Sequence, residues 1–489
     1  MIETENFLDN LLEIENNQEI FNFRFSYNNF PIWFLVRWDI LFKSISQKKN
    51  LEKPHYTNKL PVLNTHFSII TDSLRKNPFI YKQNIDLIIF NLSNSFREIK
   101  KDNLLFNKEY DYFLEDIDSS ILIENFHKKL FEENSLKRLY ENKLFYNNII
   151  FLEKFLNFNF DFNLVNFFKD YKIIKAFIKF LKSKKEFDFS EDFYNKIFHS
   201  LIKYRNKIEF TSSVYKKLLI SLKPKCIMVR AACYGGQNTF LIKTAKDLNI
   251  KVIEFQHGAF SKIHPAYNYG QVFFNNKEYQ QYLPDYLLTY GEYWNQQIKL
   301  PFKKISIGNP YLEEYLKETI KIKELKSNKI LIISQGSHSS DFVNLTLELS
   351  EKLKDKNFEI LFRPHPGEIN FKDRYKILLN NSNISICKEE QNILDLINSA
   401  DYLITMYSTS VFEALPFNKK IILIDNEYSK FYIPEEIGLR FKNSQEIFEF
   451  LIKDNKNIYN EINDFKDYLK INWKENYKKF LTEEIGISF

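Results

Sequence analysis

A repeated alternation of short apolar runs with amphipathic stretches constrains the fold of this chain more than any other feature. Each apolar run has the length of a strand and ends in glycine, proline or small polar residues. The stretches between the runs have helical spacing. Strands that alternate with helices form parallel sheets with crossover helices. The runs that predict strands are 85–93, 110–114, 225–232, 251–255, 285–290, 304–307, 329–334, 358–362, 402–405 and 420–424.

The spacing of these runs predicts two domains. With 489 residues, 44% of them hydrophobic, the chain is long enough for two or three domains that each bury a core. The pattern pauses in the charged segment 312–328 and then restarts. We expect an N-terminal domain, residues 1–315, in which about 121–222 are helical insertions, and a C-terminal domain, residues 325–462. Residues 463–489 predict a C-terminal helix that packs back toward the N-terminal domain.

Charge and cysteine content limit the partners and the compartment. The net charge of +6 is a mild excess, which suits anionic ligands or an anionic membrane surface and argues against nucleic acid. The three cysteines have neither metal-site nor redox-motif spacing, so a reduced, cytoplasmic protein is expected. The acidic N-terminus has no signal-peptide pattern. The best apolar candidate for a membrane span, 31–42, is too short and contains Arg37 and Asp39.

The stretch 361–368, Leu-Phe-Arg-Pro-His-Pro-Gly-Glu, is the first of four candidate chemical sites. Two prolines and a glycine stop the preceding strand, so Arg363 and His365 follow its carboxyl end. Ligands of open α/β sheets bind at that end, and a guanidinium suits phosphate. We therefore predict a phosphate or diphosphate site. The alternative is an arginine that pairs with a carboxylate across the loop.

Two more candidates follow strands of the same domain. Residues 335–340, Gln-Gly-Ser-His-Ser-Ser, form a small polar loop that can present backbone N–H groups to an anion. Three hydroxyl residues after Tyr407 begin another helix, and Glu413 is a candidate for ribose hydroxyls. The alternatives are helix caps, with Ser339 or Ser340 in the first loop and a capping box with Glu413 in the second. The predicted nucleotide-binding residues are Gly336, Ser337, His338, Arg363, His365, Ser408, Thr409, Ser410 and Glu413.

The fourth candidate lies in the N-terminal domain. Gln256, His257 and Gly258 follow the strand that ends in Glu254 and Phe255. An unperturbed histidine has a pKa of about 6.5, so it can accept a proton at working pH. The alternative is a structural histidine in a tight turn. We expect His257 to be the general base, with Glu254 as the other possibility.

Three further segments each allow two interpretations. Residues 164–182 have an apolar face and a lysine face, which predicts either a core-packed helix or a helix on an anionic membrane. Residues 33–42 predict an aromatic helix that is either buried or forms a wall for an acceptor. Asp116 and Asp118 resemble a metal-binding pair, but no further ligand accompanies them, so a surface turn is favoured. We expect no metal and no cofactor apart from a nucleotide-linked substrate.

The order of these motifs resembles the GT-B glycosyltransferases of bacterial capsule and lipopolysaccharide assembly. His365-Pro366 resembles the His-Pro motif of sialyltransferases and related enzymes that use CMP-activated sugars. The hydroxyl run 408–410 is similar to their serine/threonine motif, which cradles the donor phosphate. Their acidic motif is absent as such, and residues 254–258 occupy its place.

The same residues are also similar to the CDP-glycerol and CDP-ribitol phosphotransferases of teichoic acid synthesis. Those enzymes combine an Arg-Pro-His-Pro element, here at 363–366, with a later hydroxyl run. They carry a His-Gly element in the first domain, whose histidine is the proposed base, and His257-Gly258 matches it.

These resemblances imply an α/β fold of GT-B architecture, with two Rossmann-like doubly wound parallel-sheet domains facing across a cleft. They imply inverting, metal-independent transfer from a nucleotide-activated sugar, with a CMP-linked acidic sugar favoured. The acceptor would be a hydroxyl of a bacterial surface polysaccharide or lipid-linked glycan. The alternatives are a CDP-glycerol or CDP-ribitol type polyol phosphotransferase and, from another class, a non-catalytic nucleotide-binding subunit of a capsule assembly complex. The expected localisation is the cytoplasm, with or without peripheral contact with the inner face of the cytoplasmic membrane.

Overall fold

The computed structural model describes residues 2–48, 74–81, 84–92, 97–100, 104–125, 139–147, 164–319, 328–365, 372–388, 391–453 and 465–489. The chain divides into two compact units. The N-terminal unit holds the described residues up to Gly308 together with 472–489, and the C-terminal unit holds the described residues of 309–471.

The N-terminal unit contains a seven-stranded sheet in which every neighbouring pair is parallel. Its earliest strand along the chain lies inside the sheet, and later strands extend it in both directions, so the sheet is doubly wound. Across the sheet the strands are Lys303–Ser306, Tyr286–Thr289, Lys251–Phe255, Cys226–Val229, Leu87–Asn91, Ser120–Glu124 and Leu144–Tyr146.

Both faces of this sheet are covered. One face packs on the helices Glu191–Leu222 and Asn238–Asp247, whose apolar residues join Val252 in one core cluster. The other face carries Phe255, whose ring lies 4.8 Å from that of Phe113. The remaining described α-helices of the unit are Ile2–Asn16, Trp33–Lys48, Leu164–Lys182, Val272–Asn275, Lys277–Gln280, Glu292–Gln296 and Trp473–Phe480. Two small antiparallel ribbons pair Arg24–Phe25 with Phe30–Pro31 and Arg97–Lys100 with Leu104–Asn107.

The C-terminal unit contains a six-stranded, fully parallel sheet that is also doubly wound. Its core packs against the helices Ser339–Leu353 and Ser444–Lys453. Across the sheet the strands are Ile384–Ile386, Glu359–Arg363, Lys329–Ile333, Tyr402–Thr405, Lys420–Ile424 and Leu439–Phe441. The other described α-helices of the unit are Pro310–Thr319, Lys372–Tyr375, Ile393–Ser399, Ser410–Ala414 and Glu427–Tyr432.

The fold class expected from the sequence is confirmed, because the chain contains two Rossmann-like, doubly wound parallel sheets, the pair of domains found in GT-B proteins. The first helix of the C-terminal unit is Pro310–Thr319. The Tyr311 hydroxyl donates to Asn392 Oδ1 at 2.6 Å, and the Tyr315 hydroxyl donates to Asp395 Oδ1 at 2.6 Å. The division of the chain therefore lies just before the predicted boundary segment 312–328.

One prediction about the N-terminal unit is wrong, and another is correct only in part. Residues 110–114 are not a strand, because Asp111–Leu114 form a 3-10 turn. The Asp111 carboxylate accepts a hydrogen bond from the backbone N–H of Asn107 at 2.8 Å, and such local bonds favour turns over strands. The described part of 121–222, predicted to be mostly helical, contains the helices Leu164–Lys182 and Glu191–Leu222, but it also contains strand residues of Ser120–Glu124 and the strand Leu144–Tyr146, both buried. The short run Ile-Leu-Ile suits a strand buried on both faces.

The predicted long C-terminal helix is shorter than expected. Within the described residues after 464, the helix begins only at Trp473 and ends at Phe480. Asn472 has a left-handed backbone with a φ of 63°, which interrupts any helix that approaches from the N-terminal side. The helix lies in the N-terminal unit, where the ring of Tyr477 is 4.8 Å from that of Phe113.

The segment 164–182 is a helix with the predicted bounds. Ile174, Phe177 and Leu181 are fully buried, which agrees with the core-packed interpretation. The helical spacing of Phe168 assigns it to the apolar face, but it is 60% exposed. Membrane contact through this helix stays a prediction. No helix in the described part of the chain is both long and apolar enough to cross a bilayer.

Candidate functional site

Three of the four predicted segments meet at one edge of the C-terminal unit's sheet. They follow the carboxyl ends of three neighbouring parallel strands, Glu359–Arg363, Lys329–Ile333 and Tyr402–Thr405. The backbone N–H of Ser334 donates to the carbonyl of Arg363 at 3.0 Å. The N–H of Tyr407 donates to Gln335 Oε1 at 3.3 Å. This edge is where an open α/β sheet binds its ligand.

Arg363 is buried at the end of its strand, and His365 two residues later is exposed. The Nη1 of Arg363 donates to the backbone carbonyl of Lys388. One part of the guanidinium therefore ties the strand end to the segment after the neighbouring strand. Phosphate binding by Arg363 and His365 remains a prediction. Pro366, Gly367 and Glu368 lie outside the described residues.

The loop 336–338 forms a 3-10 turn that leads into the helix Ser339–Leu353. The N-cap residue is His338, and its side chain makes no capping bond, so the alternative of a cap by Ser339 or Ser340 does not apply. Ser339 instead accepts a hydrogen bond from Arg374 Nη1 at 2.6 Å. Arg374 is a cation beside the loop that the sequence analysis missed, because it follows no recognisable strand end.

The side chain of His338 lies among polar and aromatic groups. Its Nδ1 is 3.3 Å from Asp341 Oδ2, and its ring is 4.9 Å from that of Tyr428. Its Nε2 is buried and has no hydrogen-bond partner in the described part of the chain. Tyr407 stacks on Tyr432 at a ring distance of 5.1 Å. These rings form an apolar border to the polar sheet edge.

Within the hydroxyl run 408–410, the N–H of Ser410 donates to Ser408 Oγ at 3.2 Å. Thr409 is the N-cap of the short helix Ser410–Ala414, and its side chain makes no capping bond. The capping box considered for Glu413 is therefore absent. Glu413 is half-buried in the first turn of that helix. Its contact with a ribose stays a prediction.

In the N-terminal unit, Glu254 is a fully buried carboxylate on the strand Lys251–Phe255. One oxygen accepts from the Tyr267 hydroxyl at 2.6 Å, and the other accepts from the N–H of Cys233 at 2.8 Å. Burial raises the pKa of Glu254 above its usual range. Its two oxygens are thus both engaged within the protein.

His257 is 15% exposed, and its Nδ1 lies 3.9 Å from Glu254 Oε1. Burial lowers the pKa of His257 to about 3, and the positive charge of Arg230 adds to this effect. The expectation of titration near pH 6.5 is therefore wrong, because desolvation disfavours the imidazolium. His257 is a neutral imidazole at working pH, and its Nδ1 has no hydrogen-bond partner among the described residues.

A second histidine that the sequence analysis did not single out lies beside His257. The Nε2 of His264 is 3.3 Å from the hydroxyl of Tyr234, whose ring is 5.6 Å from that of His257. Trp38 stacks on His264 at a ring distance of 5.3 Å. The predicted aromatic helix thus contributes one ring to this cluster. Burial lowers the pKa of His264 to about 3 as well.

Hydrogen bonds of Gln256 stabilise the turn that follows the strand Lys251–Phe255. Its Oε1 accepts from the N–H of Tyr290 at 2.8 Å, and its Nε2 donates to the carbonyl of Gly258 at 2.8 Å. A Cβ built on Gly258 would meet no atom within 4 Å. The glycine therefore borders open space next to His257.

The segment that carries both histidines is fastened to the two N-terminal helices. Arg37 donates to the carbonyls of Pro265 and, at 2.7 Å, Asn268. Its Nε is 2.6 Å from Glu15 Oε1, and both side chains are buried. Glu15 Oε2 accepts from the N–H of Gly270 at 3.1 Å. This buried ion pair could not be predicted from the sequence, because its partners come from distant segments.

Arg230 is a further functional candidate that sequence reasoning missed. It directly follows the strand Cys226–Val229 and is 2.6 Å from Glu109. The prediction of a strand over 225–232 hid it, since the strand ends earlier and places Arg230 at the same sheet edge as His257.

Asp116 pairs with Lys474 at 3.1 Å and Lys478 at 3.0 Å, as a surface carboxylate does. The described residues contain no group of three or more potential metal ligands.

Residues 327–482 match the family model described as CDP-Glycerol:Poly(glycerophosphate) glycerophosphotransferase. The match spans about a third of the chain and includes every predicted nucleotide-binding residue. No curated protein matches the chain.

Solved structures similar to this chain include UDP-N-acetylglucosamine 2-epimerase from Rickettsia bellii, at 13% identity and a TM-score of 0.46 over 82% of this chain and 97% of the other. The UDP-GlcNAc 2-epimerase from Neisseria meningitidis is similar at 14% identity and a TM-score of 0.42, covering 76% and 91%. A glycosyltransferase from Rickettsia africae is similar at 14% identity and a TM-score of 0.39, covering 76% and 88%. Similarity at this level carries no argument about activity.

Proposed function

We propose that this chain is a transferase that moves a polyol phosphate from a CDP-linked donor to a hydroxyl of a bacterial surface polymer and releases CMP. The observation that carries the proposal is the family match over 327–482. It covers the sheet edge at which the loop 336–338, Arg363 and the hydroxyl run 408–410 follow neighbouring strands.

The donor is assigned to the C-terminal unit. Arg363 offers cationic N–H groups to the diphosphate, and His365 offers an N–H group that is cationic or neutral. The hydroxyls of 408–410 add hydrogen bonds. Arg374, which donates to Ser339 Oγ at 2.6 Å, brings a further positive charge to the start of a helix. Glu413 is assigned to the ribose hydroxyls. No step requires an acid or base from this group of residues.

The base is assigned to His257 in the N-terminal unit. Glu254 is fully buried and already accepts two hydrogen bonds, so it cannot touch an acceptor hydroxyl. His257 is neutral and borders open space at Gly258. The phosphates of the donor bring negative charge, which favours the imidazolium that forms when His257 takes the proton. Glu254, with Oε1 at 3.9 Å from Nδ1, adds to that stabilisation.

A CMP-linked acidic sugar remains the second candidate donor, because His365-Pro366 and the hydroxyl run 408–410 resemble the motifs of enzymes that use such sugars. Both reactions release CMP, but the bonds that break differ. The polyol transferase breaks a P–O bond of the diphosphate, whereas the sugar transferase breaks the bond between the anomeric carbon and phosphate oxygen.

The test compares donors with the purified full chain. We expect CMP release from CDP-glycerol or CDP-ribitol in the presence of a poly(glycerol phosphate) oligomer, and no such release from CMP-sialic acid. Thermal-shift measurements should show stabilisation by CMP and CDP and not by UDP or GDP. CMP release from CMP-sialic acid alone would favour the second candidate, and turnover of none of the donors would favour a non-catalytic binding protein.

His257→Gln should lower kcat for CMP release by about 10³-fold or more, because the acceptor hydroxyl loses its proton acceptor. The affinity for CMP, measured by calorimetry, should stay within a factor of about two, since His257 is not assigned to the nucleotide. His199→Gln is the matched control, as His199 is exposed on the helix Glu191–Leu222. A large loss of CMP affinity in His257→Gln would contradict the assignment.

A further inference from the structure

Arg230 lies at the functional edge of the N-terminal unit's sheet. Its strand, Cys226–Val229, is the parallel neighbour of Lys251–Phe255, which leads to His257. The backbone at Arg230 is fixed on both sides: its N–H donates to the carbonyl of Phe90 at 3.1 Å, and its carbonyl accepts from Asn238 Nδ2 at 3.0 Å. The side chain therefore starts from a rigid position on the strand next to the candidate base.

The guanidinium of Arg230 is oriented by one carboxylate. Its Nε donates to Oε2 of Glu109 at 2.6 Å, and its Nη2 donates to Oε1 of the same carboxylate at 3.2 Å. This bidentate contact uses one side of the planar fork. Neither of these bonds uses Nη1, and the side chain is 17% exposed. Arg230 thus presents one oriented donor that is available to a ligand.

The charge of Arg230 acts on the histidine cluster. Burial is the largest cause of the lowered pKa of His257, and the positive charge of Arg230 is the next. The same charge also offsets part of the rise in the pKa of Glu254 that burial causes. The groups around His257 are therefore a cation at Arg230, the buried carboxyl of Glu254, and the neutral Tyr234 and His264.

The sign of this charge discriminates between the two candidate reactions. Glycosyl transfer passes through a transition state with positive charge on the sugar ring, which a nearby cation destabilises. Phosphoryl transfer spreads negative charge over the nonbridging oxygens, which an arginine stabilises. A cation next to the base therefore favours a reaction centre at phosphorus.

We propose that Arg230 is a further catalytic residue, whose Nη1 donates to a nonbridging oxygen of the polyol phosphate that is being transferred. Glu109 is the positioning residue that orients it. This inference rests on the proposed function and goes beyond it, because it assigns recognition of the transferred phosphate to the N-terminal unit.

In the proposed step, the oxygen of the acceptor hydroxyl attacks the phosphorus that carries the polyol, and a new P–O bond forms. The bond from that phosphorus to the bridging oxygen of the diphosphate breaks, and its electron pair leaves with CMP. The hydroxyl proton goes to His257. Arg230 contacts the phosphate while the charge of the phosphate redistributes. Arg230 itself undergoes no covalent change.

The test measures CMP release from CDP-glycerol by the full chain. Arg230→Gln should lower kcat by about 10²- to 10³-fold, in line with the lower end of arginine contributions to phosphoryl transfer. Arg230→Lys should recover part of this loss, since it keeps the charge without the fork. Glu109→Gln should lower kcat by about tenfold, because Arg230 loses its orientation. Lys225→Gln is the matched control, since it removes one positive charge from the other end of the same strand segment.

A second readout is independent of turnover. In an NMR titration of labelled histidine, Arg230→Gln should raise the pKa of His257 relative to the wild type, whereas Lys225→Gln should leave it unchanged. Wild-type-like kcat in a folded Arg230→Gln protein would overturn the inference and leave the proposed function intact. If the wild type turns over only CMP-sialic acid, and Arg230→Gln does so at least as well, both the inference and the proposed function are wrong.

Discussion

At the scale of single residues, burial separates two side chains that the sequence presents as equivalent candidates. Glu254 and His257 are three positions apart, and either has the chemistry of a general base. Glu254 is fully enclosed with both oxygens bonded, whereas His257 lies next to open space at Gly258. The carboxylate is therefore suited to stabilise an imidazolium, and the imidazole is suited to touch the substrate.

Glu254→Gln should lower kcat for CMP release by about tenfold to a hundredfold with little change in the KM for donor. The neutral amide cannot stabilise the imidazolium of His257, and one of the donors from Tyr267 and Cys233 is left without an acceptor, which costs about 1–3 kcal/mol of stability. Steady-state kinetics and urea unfolding measure the two effects.

Asp170→Asn is the matched control for that variant. Asp170 is a buried carboxylate that also accepts a backbone N–H, from Ser26 at 2.7 Å, and it pairs with Arg205 at 3.2 Å. It should lose stability while kcat stays near the wild-type value. If Glu254→Gln loses only stability as well, Glu254 has no part in catalysis.

At the scale of secondary-structure elements, the two N-terminal helices determine where the histidine segment lies. Glu15 from Ile2–Asn16 and Arg37 from Trp33–Lys48 form a buried ion pair that also bonds the backbone at Pro265, Asn268 and Gly270. The carbonyls and the N–H of this segment would otherwise be buried without partners. The helices are thus a fixed support for His257 and His264.

Arg37→Met should lower the free energy of unfolding by about 3–5 kcal/mol, because Glu15 becomes an unpaired buried charge. It should also lower kcat by about tenfold, since the histidine segment loses two of its hydrogen bonds. Urea unfolding and CMP release measure these changes. Arg205→Met breaks another buried pair, with Asp170, and serves as the control. Equal kcat in the two variants would show that the helices do not position His257.

The sequence predicted those elements whose signal is local. Lys251–Phe255, Tyr402–Thr405 and Lys420–Ile424 have the predicted bounds, because polar or turn-forming residues lie within two positions of both ends of each apolar run. The strand Leu144–Tyr146 was missed, since three residues carry no periodicity and only pairing with Ser120–Glu124 makes them a strand. Local patterns define an element only when it is long enough to repeat them.

The candidate site could be predicted in part for the same reason. Residues directly after predicted strands, such as Arg363 and His257, were found because parallel strands bring their carboxyl ends together. Arg230 was hidden by two apolar residues that follow it, and His264 and Arg374 follow no strand. The pKa of His257 also could not be predicted, because its burial involves residues from separate segments, such as Tyr234, whose ring is 5.6 Å from that of His257.

At the scale of the whole molecule, the buried histidines couple the proposed chemistry to stability. His257 and His264 both have a pKa of about 3 in the folded protein, against about 6.5 for an unperturbed histidine. Above pH 6.5 both are neutral in the folded and the unfolded chain, so they contribute no pH dependence. Between pH 6.5 and pH 3 the unfolded chain binds protons that the folded protein excludes. Stability should therefore fall as the pH is lowered through this window.

The two histidines should determine how steeply the free energy of unfolding falls in this window. Each histidine should lower the free energy of unfolding by about 1.4 kcal/mol per pH unit once the pH is well below 6.5. The double variant His257→Gln and His264→Gln should show a shallower loss between pH 6 and pH 4, measured by urea unfolding at each pH. The exposed His199 is the control, so His199→Gln should keep the wild-type slope. Ion pairs with lysines lower the pKa of carboxylates such as Asp116, so these carboxylates also lose stabilisation in acid. The loss is the same in all three proteins, and it therefore cancels when their slopes are compared. Parallel curves for the wild type and the double variant would show that the histidines are hydrated in the folded protein, and the assignment of a neutral, desolvated base would then be wrong.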